Sequence, residues 1–284
     1  MHHHATHPAP PAHAAAHPRE PDPARDVITL TVDDQPVDCI RPADTTAPTW
    51  ALYRTAPQAA PAYLGTVHAH PGTPAAWRVQ ATGERHPTFA DAVRTLRRPG
   101  SWPRDRAHAI SWARKALADP ATLIVDVQTT GLHEPYAVQI AAIDTSGTLR
   151  LDHTLDPQAA IDPAASALHG LTASSTAQAA TFSDIVAELT HLTHNRRLVA
   201  YNSTFDRHVI QRDLQRHYQQ HHKVNAWLQQ RSWHNALPPI AAASGLWSER
   251  RQAYRYPRLG GNYDAAAHCT LLLERLRHLA SAGT

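Results

Sequence analysis

Asp126 and Gln128 stand where a buried strand is expected to end, and both side chains could present oxygen ligands to a metal ion. The apolar run 123–125 predicts a buried strand that ends in Asp126. Gln128 follows two residues later and projects from the same face, because side chains alternate with period two along a strand. A carboxylate is a hard, anionic ligand suited to Mg²⁺ or Mn²⁺, whereas the glutamine amide offers a carbonyl oxygen without charge.

The segment 122–132, TLIVDVQTTGL, resembles the first motif of the DEDDh family of 3′–5′ exonucleases, which reads Asp-x-Glu-Thr-Thr-Gly-Leu. It departs from that motif at Gln128, which stands in the place of the glutamate. The resemblance implies a ribonuclease H-like fold and a site in which four carboxylates hold two divalent ions. In the family, one ion generates the attacking hydroxide and both stabilise charge on the phosphate. A nearby histidine takes a proton from the water.

Two further segments resemble the remaining motifs of the family. Residues 200–206, AYNSTFD, resemble Asn-x-x-Phe-Asp and end in its aspartate. Residues 260–269, GGNYDAAAHC, precede an apolar helix and match the third motif, which should read His, four residues, Asp. Aligned on the paired glycines and the helix, Tyr263 stands at the position of the general base and His268 at that of the last metal-binding aspartate. Asp264 is better explained as the N-cap of the helix.

Three of the five expected catalytic positions therefore differ from the family, namely Gln128, Tyr263 and His268, while Asp126 and Asp206 match. By resemblance, the metal ligands are Asp126, Asp206 and His268. The negative charge of the ligands falls from four to two, which should weaken or abolish binding of the second ion. The expected metal, if any, is Mg²⁺ or Mn²⁺, as one ion only where the second is lost. A tyrosine hydroxyl is a poor base at neutral pH, and loss of a general base typically costs about 10²–10⁴-fold in rate. We therefore predict an inactive or severely impaired exonuclease.

The residues that hold the terminal nucleotide in the family match more closely. The resemblance assigns nucleic-acid binding to Thr129, Thr130, Gly131, Leu132, Asn202 and Phe205. Structural roles are nearly as well supported, since Gly131 suits a tight turn after a strand and Leu132 and Phe205 suit core packing. The predicted ligand is a single-stranded 3′ end, and the residues do not distinguish DNA from RNA.

Changes of pattern divide the chain into three parts. Residues 1–25 are mostly His, Pro and Ala and are predicted to form a disordered tail. Residues 26–100 carry short strand patterns, with Asp33-Asp34 as a hairpin turn, and are predicted to form a small β-rich module closed by a helix. Residues 101–284 combine strands and helices in the order of the exonuclease-like domain. The predicted fold class is α/β: a ribonuclease H-like exonuclease domain preceded by that module and tail.

Basic residues cluster around the boundary between the module and the exonuclease-like domain. The cluster contains Arg94, Arg97, Arg98, Arg104, Arg106, Arg114 and Lys115. A phosphate-binding surface and a solvated helix face explain this cluster equally well.

Composition sets wider limits. The 284 residues carry a formal charge of +3 and a pI near 9.0, a mild preference for acidic partners such as nucleic acid. No apolar stretch is long enough to cross a membrane, and the N-terminus lacks the apolar core of a signal peptide. We expect a cytoplasmic protein without a membrane partner. Cys39 and Cys269 match no metal or redox spacing and are expected to be buried thiols.

Three functions are compatible with these patterns. The leading hypothesis is an exonuclease fold that binds nucleic acid without efficient cleavage. The second is an active metal-dependent 3′–5′ exonuclease with a reduced site of Asp126, Asp206 and His268, since two carboxylates and a histidine suit Mn²⁺ or Zn²⁺. The third is a protein-interaction adaptor, in which the β-rich module binds a partner and the exonuclease domain is a scaffold.

Overall fold

A computed structural model describes residues 20–43, 45, 48–55, 62–70, 76–248 and 251–282. The chain divides into two compact units, residues 1–99 and 100–284. Most of the predicted tail, residues 1–19, lies outside the described residues. Near the end of the tail, the Glu20 carboxylate accepts a hydrogen bond from the Trp77 indole Nε1 at 3.1 Å.

The first unit is an antiparallel meander covered by one helix. Its elements are β1 (Val27–Val32), β2 (Gln35–Ile40), β3 (Thr49–Arg54), β4 (Ala62–His70), β5 (Ala76–Val79), β6 (Arg85–His86) and α1 (Phe89–Leu96). The strands pair in chain order. Asp33 and Asp34 form the first hairpin turn with φ of 55° and 59°, the left-handed pair that a two-residue hairpin needs. The β-rich module predicted from the sequence is confirmed.

Alternating burial explains how this module holds together. One face of the sheet buries Val32, Val37, Leu52 and Val67 against α1. The helix begins where the Thr88 hydroxyl accepts the backbone N–H of the third helical residue, which supplies a partner for an otherwise orphan donor. The opposite face of the sheet carries polar and aromatic side chains.

The second unit surrounds a mixed sheet. Its helices are α2 (Trp102–Ala118), α3 (Pro163–His169), α4 (Ala173–Thr176), α5 (Phe182–Thr193), α6 (Ser203–Tyr218), α7 (His221–Gln229), α8 (Leu237–Ser244) and α9 (Ala265–Ser281). Its strands are β7 (Thr122–Thr129), β8 (Ala137–Asp144), β9 (Leu149–Asp156), β10 (Ala180–Thr181), β11 (Arg197–Ala200), β12 (Ser232–Asn235), β13 (Trp247–Ser248) and β14 (Ala253–Tyr254). The main sheet has the order β10-β9-β8-β7-β11-β12.

This topology is the predicted ribonuclease H-like α/β arrangement. β7, β8 and β9 are antiparallel neighbours, and β11 and β12 continue the sheet parallel to β7. Both faces are covered: α5, α6 and α7 pack with one set of sheet residues and α2, α8 and α9 with the other. Along β7, Leu123, Val125 and Val127 face the first core, while Ile124 faces the second. Asp126 and Gln128 therefore share the face covered by α9, as the period-two pattern predicts.

The basic cluster at the boundary between the units is largely used within each unit. Arg97 is only 7% exposed and donates to three backbone carbonyls of the β1–β2 hairpin. Arg106 donates to the Ala282 carbonyl at 3.2 Å and Arg114 to that of Ala280 at 2.8 Å. These carbonyls end α9, where a helix lacks internal donors. These three arginines therefore stabilise the fold of their own units, which favours the structural explanation for them, while a phosphate-binding role for the rest of the cluster stays a prediction.

One limit of the sequence patterns is visible in α2. The helix expected around 110–114 is the second half of α2, whose first half carries Arg, Asp and His in place of an apolar stripe. No helix among the described residues is long and apolar enough to span a membrane.

Candidate active site

The carboxyl end of β7 presents a carboxylate and an amide in direct contact. Gln128 Nε2 donates a hydrogen bond to Asp126 Oδ2 at 2.7 Å. Gln128 is only 8% exposed, so the bond lies in a largely dry environment, where hydrogen bonds to a charged acceptor are strong. The Gln128 amide thus attracts the Asp126 carboxylate, whereas a glutamate at this position would repel it.

Asp206 reaches the same place from the first turn of α6. Its Oδ1 accepts the backbone N–H of Val127 at 3.2 Å, which joins the helix to β7. Asp206 is buried. Burial and, secondly, the nearby charge of Asp126 raise the pKa of the Asp206 carboxyl well above its ordinary value. A proton or a cation at this carboxylate pair would relieve the repulsion.

His268 completes the group from the first turn of α9. Asp264 caps this helix, its Oδ1 accepting the Ala267 N–H at 2.8 Å, as predicted. His268 Nδ1 then lies 3.4 Å from Asp126 Oδ2 and 3.3 Å from Gln128 Nε2. One neighbour is an acceptor and the other a donor, so a proton on Nδ1 decides which of the two is bonded.

Tyr263 lies beside this histidine, at the mouth of the site. The ring centroids of Tyr263 and His268 are 5.5 Å apart, with their planes tilted by 58°. Tyr263 is 45% exposed. The structure therefore brings together Asp126, Gln128 and His268. Asp206 is bonded to the backbone of Val127, and the Tyr263 ring lies against the His268 ring. Their catalytic roles stay predictions.

The metal chemistry that this group allows is limited by its charge. Two carboxylates and one imidazole stand where the family requires four carboxylates, so the two-ion arrangement does not fit. Among the residues that the structure describes, no three His, Cys, Asp or Glu side chains form a preformed metal-binding group. A single ion at Asp126 and Asp206 fits the oxygen chemistry of the pair, and at Asp126 Oδ2 it would compete with the Gln128 amide. Asp126, Asp206 and His268 stay predicted ligands.

The loop after β7 is held by its own backbone and by the segment that precedes α3. Thr130 N–H donates to the Tyr136 carbonyl at 2.9 Å, and Tyr136 N–H returns a bond to the Thr130 hydroxyl at 3.0 Å. Asp162 N–H donates to the Thr130 carbonyl at 2.7 Å. A Cβ on Gly131 would stand 3.2 Å from Asp162 Cβ, so a larger residue would force Asp162 to shift by a few tenths of an ångström. Leu132, at the tip, is 87% exposed.

These contacts divide the predicted binding residues into two groups. Leu132 is not a core residue, and its exposure leaves it free to contact a ligand. Thr129 and Thr130 are buried and bonded within the loop. Phe205 packs against the core, which matches its structural alternative. Asn202 is exposed, and its side chain makes no capping bond to α6.

Gln139 is a site residue that sequence patterns missed. It stands opposite Gln128 in the β7–β8 register and is 7% exposed. Its Nε2 donates to Asp264 Oδ2 at 2.9 Å, and its Oε1 accepts the Ala265 N–H at 3.0 Å. One amide thus clamps the start of α9, the helix that carries His268. A lone polar residue within the apolar run of β8 was the available signal.

A second missed cluster supports the far side of the loop. The guanidinium groups of Arg212 and Arg216 lie 4.9 and 4.1 Å from the centroid of the Tyr136 ring. Asp213 Oδ2 accepts the Ala137 N–H at 3.0 Å, and Asp213 Oδ1 accepts from Arg216 at 3.0 Å. Burial raises the pKa of the Asp213 carboxyl to about 6, against the opposing effect of these two bonds.

Comparisons with known proteins agree with this fold. Residues 123–253 match the family RNase_T, described as exonuclease. An uncharacterised exonuclease, CP81, of Escherichia phage 186 is 29% identical over 177 residues, which cover 60% of this chain and 85% of that protein.

Solved structures of exonucleases are more distant. Exonuclease X in complex with 5′ overhanging duplex DNA is 20% identical, with a TM-score of 0.39, over 57% of this chain and 92% of that one. E. coli exonuclease I in complex with a dA16 oligonucleotide is 19% identical, with a TM-score of 0.44, over 56% of this chain and 42% of that one.

The matched domain is an exonuclease domain built on an α/β sheet. Residues 123–253 are similar to that exonuclease family, and the segments that resemble the DEDDh motifs have a glutamine, a tyrosine and a histidine at three of the motif positions.

Replacement of Gln139 by leucine should destabilise the exonuclease domain. Gln139→Leu leaves the Ala265 N–H and the Asp264 carboxylate without this partner, and such a loss in a buried site costs about 1–3 kcal/mol. Urea unfolding of the full chain measures the change. Gln229→Leu, at an exposed position of α7, is the matched control. Equal stability of both variants and the wild type would show that the clamp contributes nothing.

The raised pKa of Asp213 predicts a pH dependence of stability. The folded protein holds this proton above the ordinary pKa of 3.8. The free energy of unfolding should therefore fall as pH rises from about 4 to about 6, by up to about 3 kcal/mol. Asp213→Asn lacks this titration, so its free energy of unfolding relative to wild type should rise between pH 4 and pH 7.

Urea unfolding at both pH values tests this, with Glu274→Gln as a control at an exposed carboxyl. A relative loss of stability by Asp213→Asn over this range would mean that the Arg216 ion pair outweighs burial.

Proposed function

We propose that this protein binds single-stranded 3′ ends at the carboxyl end of β7 and cleaves them very slowly or not at all. The observation that carries the proposal is the 2.7 Å hydrogen bond from Gln128 Nε2 to Asp126 Oδ2. In place of a second carboxylate, the site has an amide donor directed at the first one. His268 Nδ1, 3.4 Å from the same oxygen, adds a second neighbour that can donate when protonated.

This arrangement weakens both parts of the family's chemistry. Fewer anionic ligands lower the affinity for divalent ions, which lowers the supply of hydroxide and the stabilisation of charge on the phosphate. Loss of one such electrostatic contact typically costs roughly 3–4 kcal/mol in transition-state stabilisation, although contributions from residues that act together do not add. Tyr263, at the place of the general base, is a poor proton acceptor at neutral pH.

Binding does not depend on the same groups. The loop that carries Thr129, Thr130 and Gly131 is closed by backbone hydrogen bonds and held by Asp162. Its exposed Leu132 offers an apolar contact for a terminal base. A pre-organised loop loses little entropy on binding. These features support retention of 3′-end binding where the catalytic carboxylates are missing.

A reduced, one-ion exonuclease is the second candidate function. The buried Asp206 carboxyl beside Asp126 favours this candidate, because a bound cation would relieve the repulsion between the two carboxylates. Asp126 and Asp206, with His268, would hold Mg²⁺ or Mn²⁺. A bound ion would supply a polarised water and charge stabilisation, and the chain's part would be to position that water near His268 and Tyr263.

Restoration of the family residues should restore cleavage. The triple variant Gln128→Glu, Tyr263→His, His268→Asp should trim a 5′-labelled single strand with Mg²⁺ at least about 100-fold faster than wild type, since it regains the charge and the base. Gel analysis at high enzyme with Mg²⁺, Mn²⁺ or Zn²⁺ in turn measures the rates. The same triple variant carrying Asp126→Ala controls for contaminating nuclease.

Clear trimming by the wild type would contradict the proposed loss of catalysis. If that activity required His268, the one-ion exonuclease would replace the binding protein as the proposed function. If it survived His268→Ala, both accounts of the site would be wrong.

Stability in the presence and absence of metal gives a test that does not depend on activity. Gln128→Glu places a third acid beside Asp126 and the buried Asp206, and should destabilise the domain by about 1–3 kcal/mol in EDTA. Millimolar Mg²⁺ should recover this loss, because ion binding to the folded state adds stability.

Thermal unfolding in EDTA and in Mg²⁺ measures both effects. Gln128→Met, which removes the amide without adding charge, is the control and should not respond to Mg²⁺. A wild type that gains as much from Mg²⁺ as Gln128→Glu does would contradict the proposed loss of metal affinity.

A further inference from the structure

The outward face of the β1–β6 sheet is the part of the molecule that the exonuclease site leaves unexplained. Cross-strand pairing places Ala51 opposite Thr66 at its centre. This pair forms a narrow floor between two groups of larger side chains, and Ile40 stands beside Ala51 on β2. The inward face is filled by α1 and its core, so the outward face makes no contribution to that core.

One side of this floor carries an aromatic pair. Tyr53 and Tyr63 are cross-strand partners at the β3–β4 bulge, and their ring centroids are 5.4 Å apart. Tyr63 is 59% exposed. Its hydroxyl is hydrogen-bonded to that of Thr66 at 2.7 Å, so the ring is held in place. An exposed, fixed ring is suited to stacking with a planar group.

The other side carries two arginines in a row beside His68. His68 pairs with Arg78 across β4 and β5, and Arg78 pairs with Arg85 across β5 and β6. Cross-strand partners share a face of the sheet. Both arginines are exposed, and no ion pair joins either to an acid among the described residues. Tyr63 and His68 lie five residues apart on β4, about 16 Å along the strand.

Acidic residues of the module are mostly engaged elsewhere. Asp33 and Asp91 pair with Arg94, and Glu84 pairs with Arg98. On the outward face, Asp38 accepts a bond from the Thr29 hydroxyl at 2.6 Å, on strands β1 and β2 and away from the Arg78–Arg85 row. Among the described residues, therefore, no acid neutralises Arg78 or Arg85, and their charge can bind an external anion.

We propose that this face binds single-stranded nucleic acid along its length, independently of a free end. Tyr63, supported by Tyr53, stacks with bases, and Arg78 and Arg85 bind phosphates. Aromatic stacking combined with a positively charged track is how single strands are bound without sequence readout. A duplex hides its base faces, so the aromatic side of the surface favours single strands. This function goes beyond the proposed 3′-end site and does not require it.

Binding of a circular single-stranded oligonucleotide to the full chain tests the proposal, because a circle offers no 3′ end. Fluorescence anisotropy at low salt should show binding by wild type. Arg78→Ala/Arg85→Ala should weaken it at least about tenfold, and the dependence of log K on log salt should become shallower by roughly 1.4, for two phosphate contacts. Tyr63→Ala should weaken binding roughly tenfold, whereas Tyr63→Phe should retain it.

Arg25→Ala, at an exposed arginine of the same module, is the control and should bind like wild type. Circles of DNA and of RNA are tested separately, and binding of either supports the proposal. Failure of wild type to bind both circles would overturn it, as would equal affinity of the Arg78/Arg85 and Tyr63→Ala variants and wild type. If a duplex competes as well as a single strand for the circle-binding site, the proposed base stacking by Tyr63 is wrong.

A linear strand separates this proposal from the 3′-end function. Preference for a free 3′ hydroxyl over a 3′ phosphate that is lost in Leu132→Asp, but kept in Arg78→Ala/Arg85→Ala, would support the exonuclease-domain site alone. Circle binding without any 3′-end preference would support the sheet surface and refute the 3′-end site.

Discussion

The exonuclease domain must accommodate two carboxylates, Asp126 and Asp206, at a largely buried end of β7. Charged groups away from water are unfavourable unless they are paired or hydrogen-bonded. Here the Gln128 amide donates to Asp126, and the Val127 N–H donates to Asp206. His268 Nδ1 approaches Asp126 from α9. Helix α6, strand β7 and helix α9 therefore converge at this end through polar contacts in addition to apolar packing.

A bulge links this charge pair to the binding loop. The β7–β8 register shifts between Gln128 and Thr129, so that Gln128 pairs with Gln139 but Thr129 pairs with Ala137. A bulge re-aims the strand and leaves ladder groups to find other partners. Asp213 takes the Ala137 N–H, while Gln139, on the other side of the bulge, turns its amide to the start of α9. The bulge therefore helps to position both the loop after β7 and the start of α9, the helix that carries His268.

The sequence predicted features that depend on neighbours along the chain. The period-two pattern placed Asp126 and Gln128 on one face, and the N-cap of α9 at Asp264 and the β1–β2 hairpin followed from local chemistry. Features that depend on distant partners escaped it. Gln139 looks like one polar residue in an apolar strand until α9 is packed on it. The arginines of α2 look like a phosphate surface until the end of α9 supplies carbonyls for Arg106 and Arg114.

Two of the three departures from the family motifs, Gln128 and His268, are electrostatically consistent with one another. A glutamate at 128 would stand within hydrogen-bond distance of Asp126, and an aspartate at 268 would add a further negative charge near it, so both would need cations for balance. Glutamine and histidine instead place an amide donor 2.7 Å and an imidazole nitrogen 3.4 Å from Asp126 Oδ2. Asp126 thereby keeps polar partners in the absence of metal. The substitutions together describe a site in which side chains perform part of the charge compensation that ions perform in the family, while the loop that contacts the ligand is held by separate bonds.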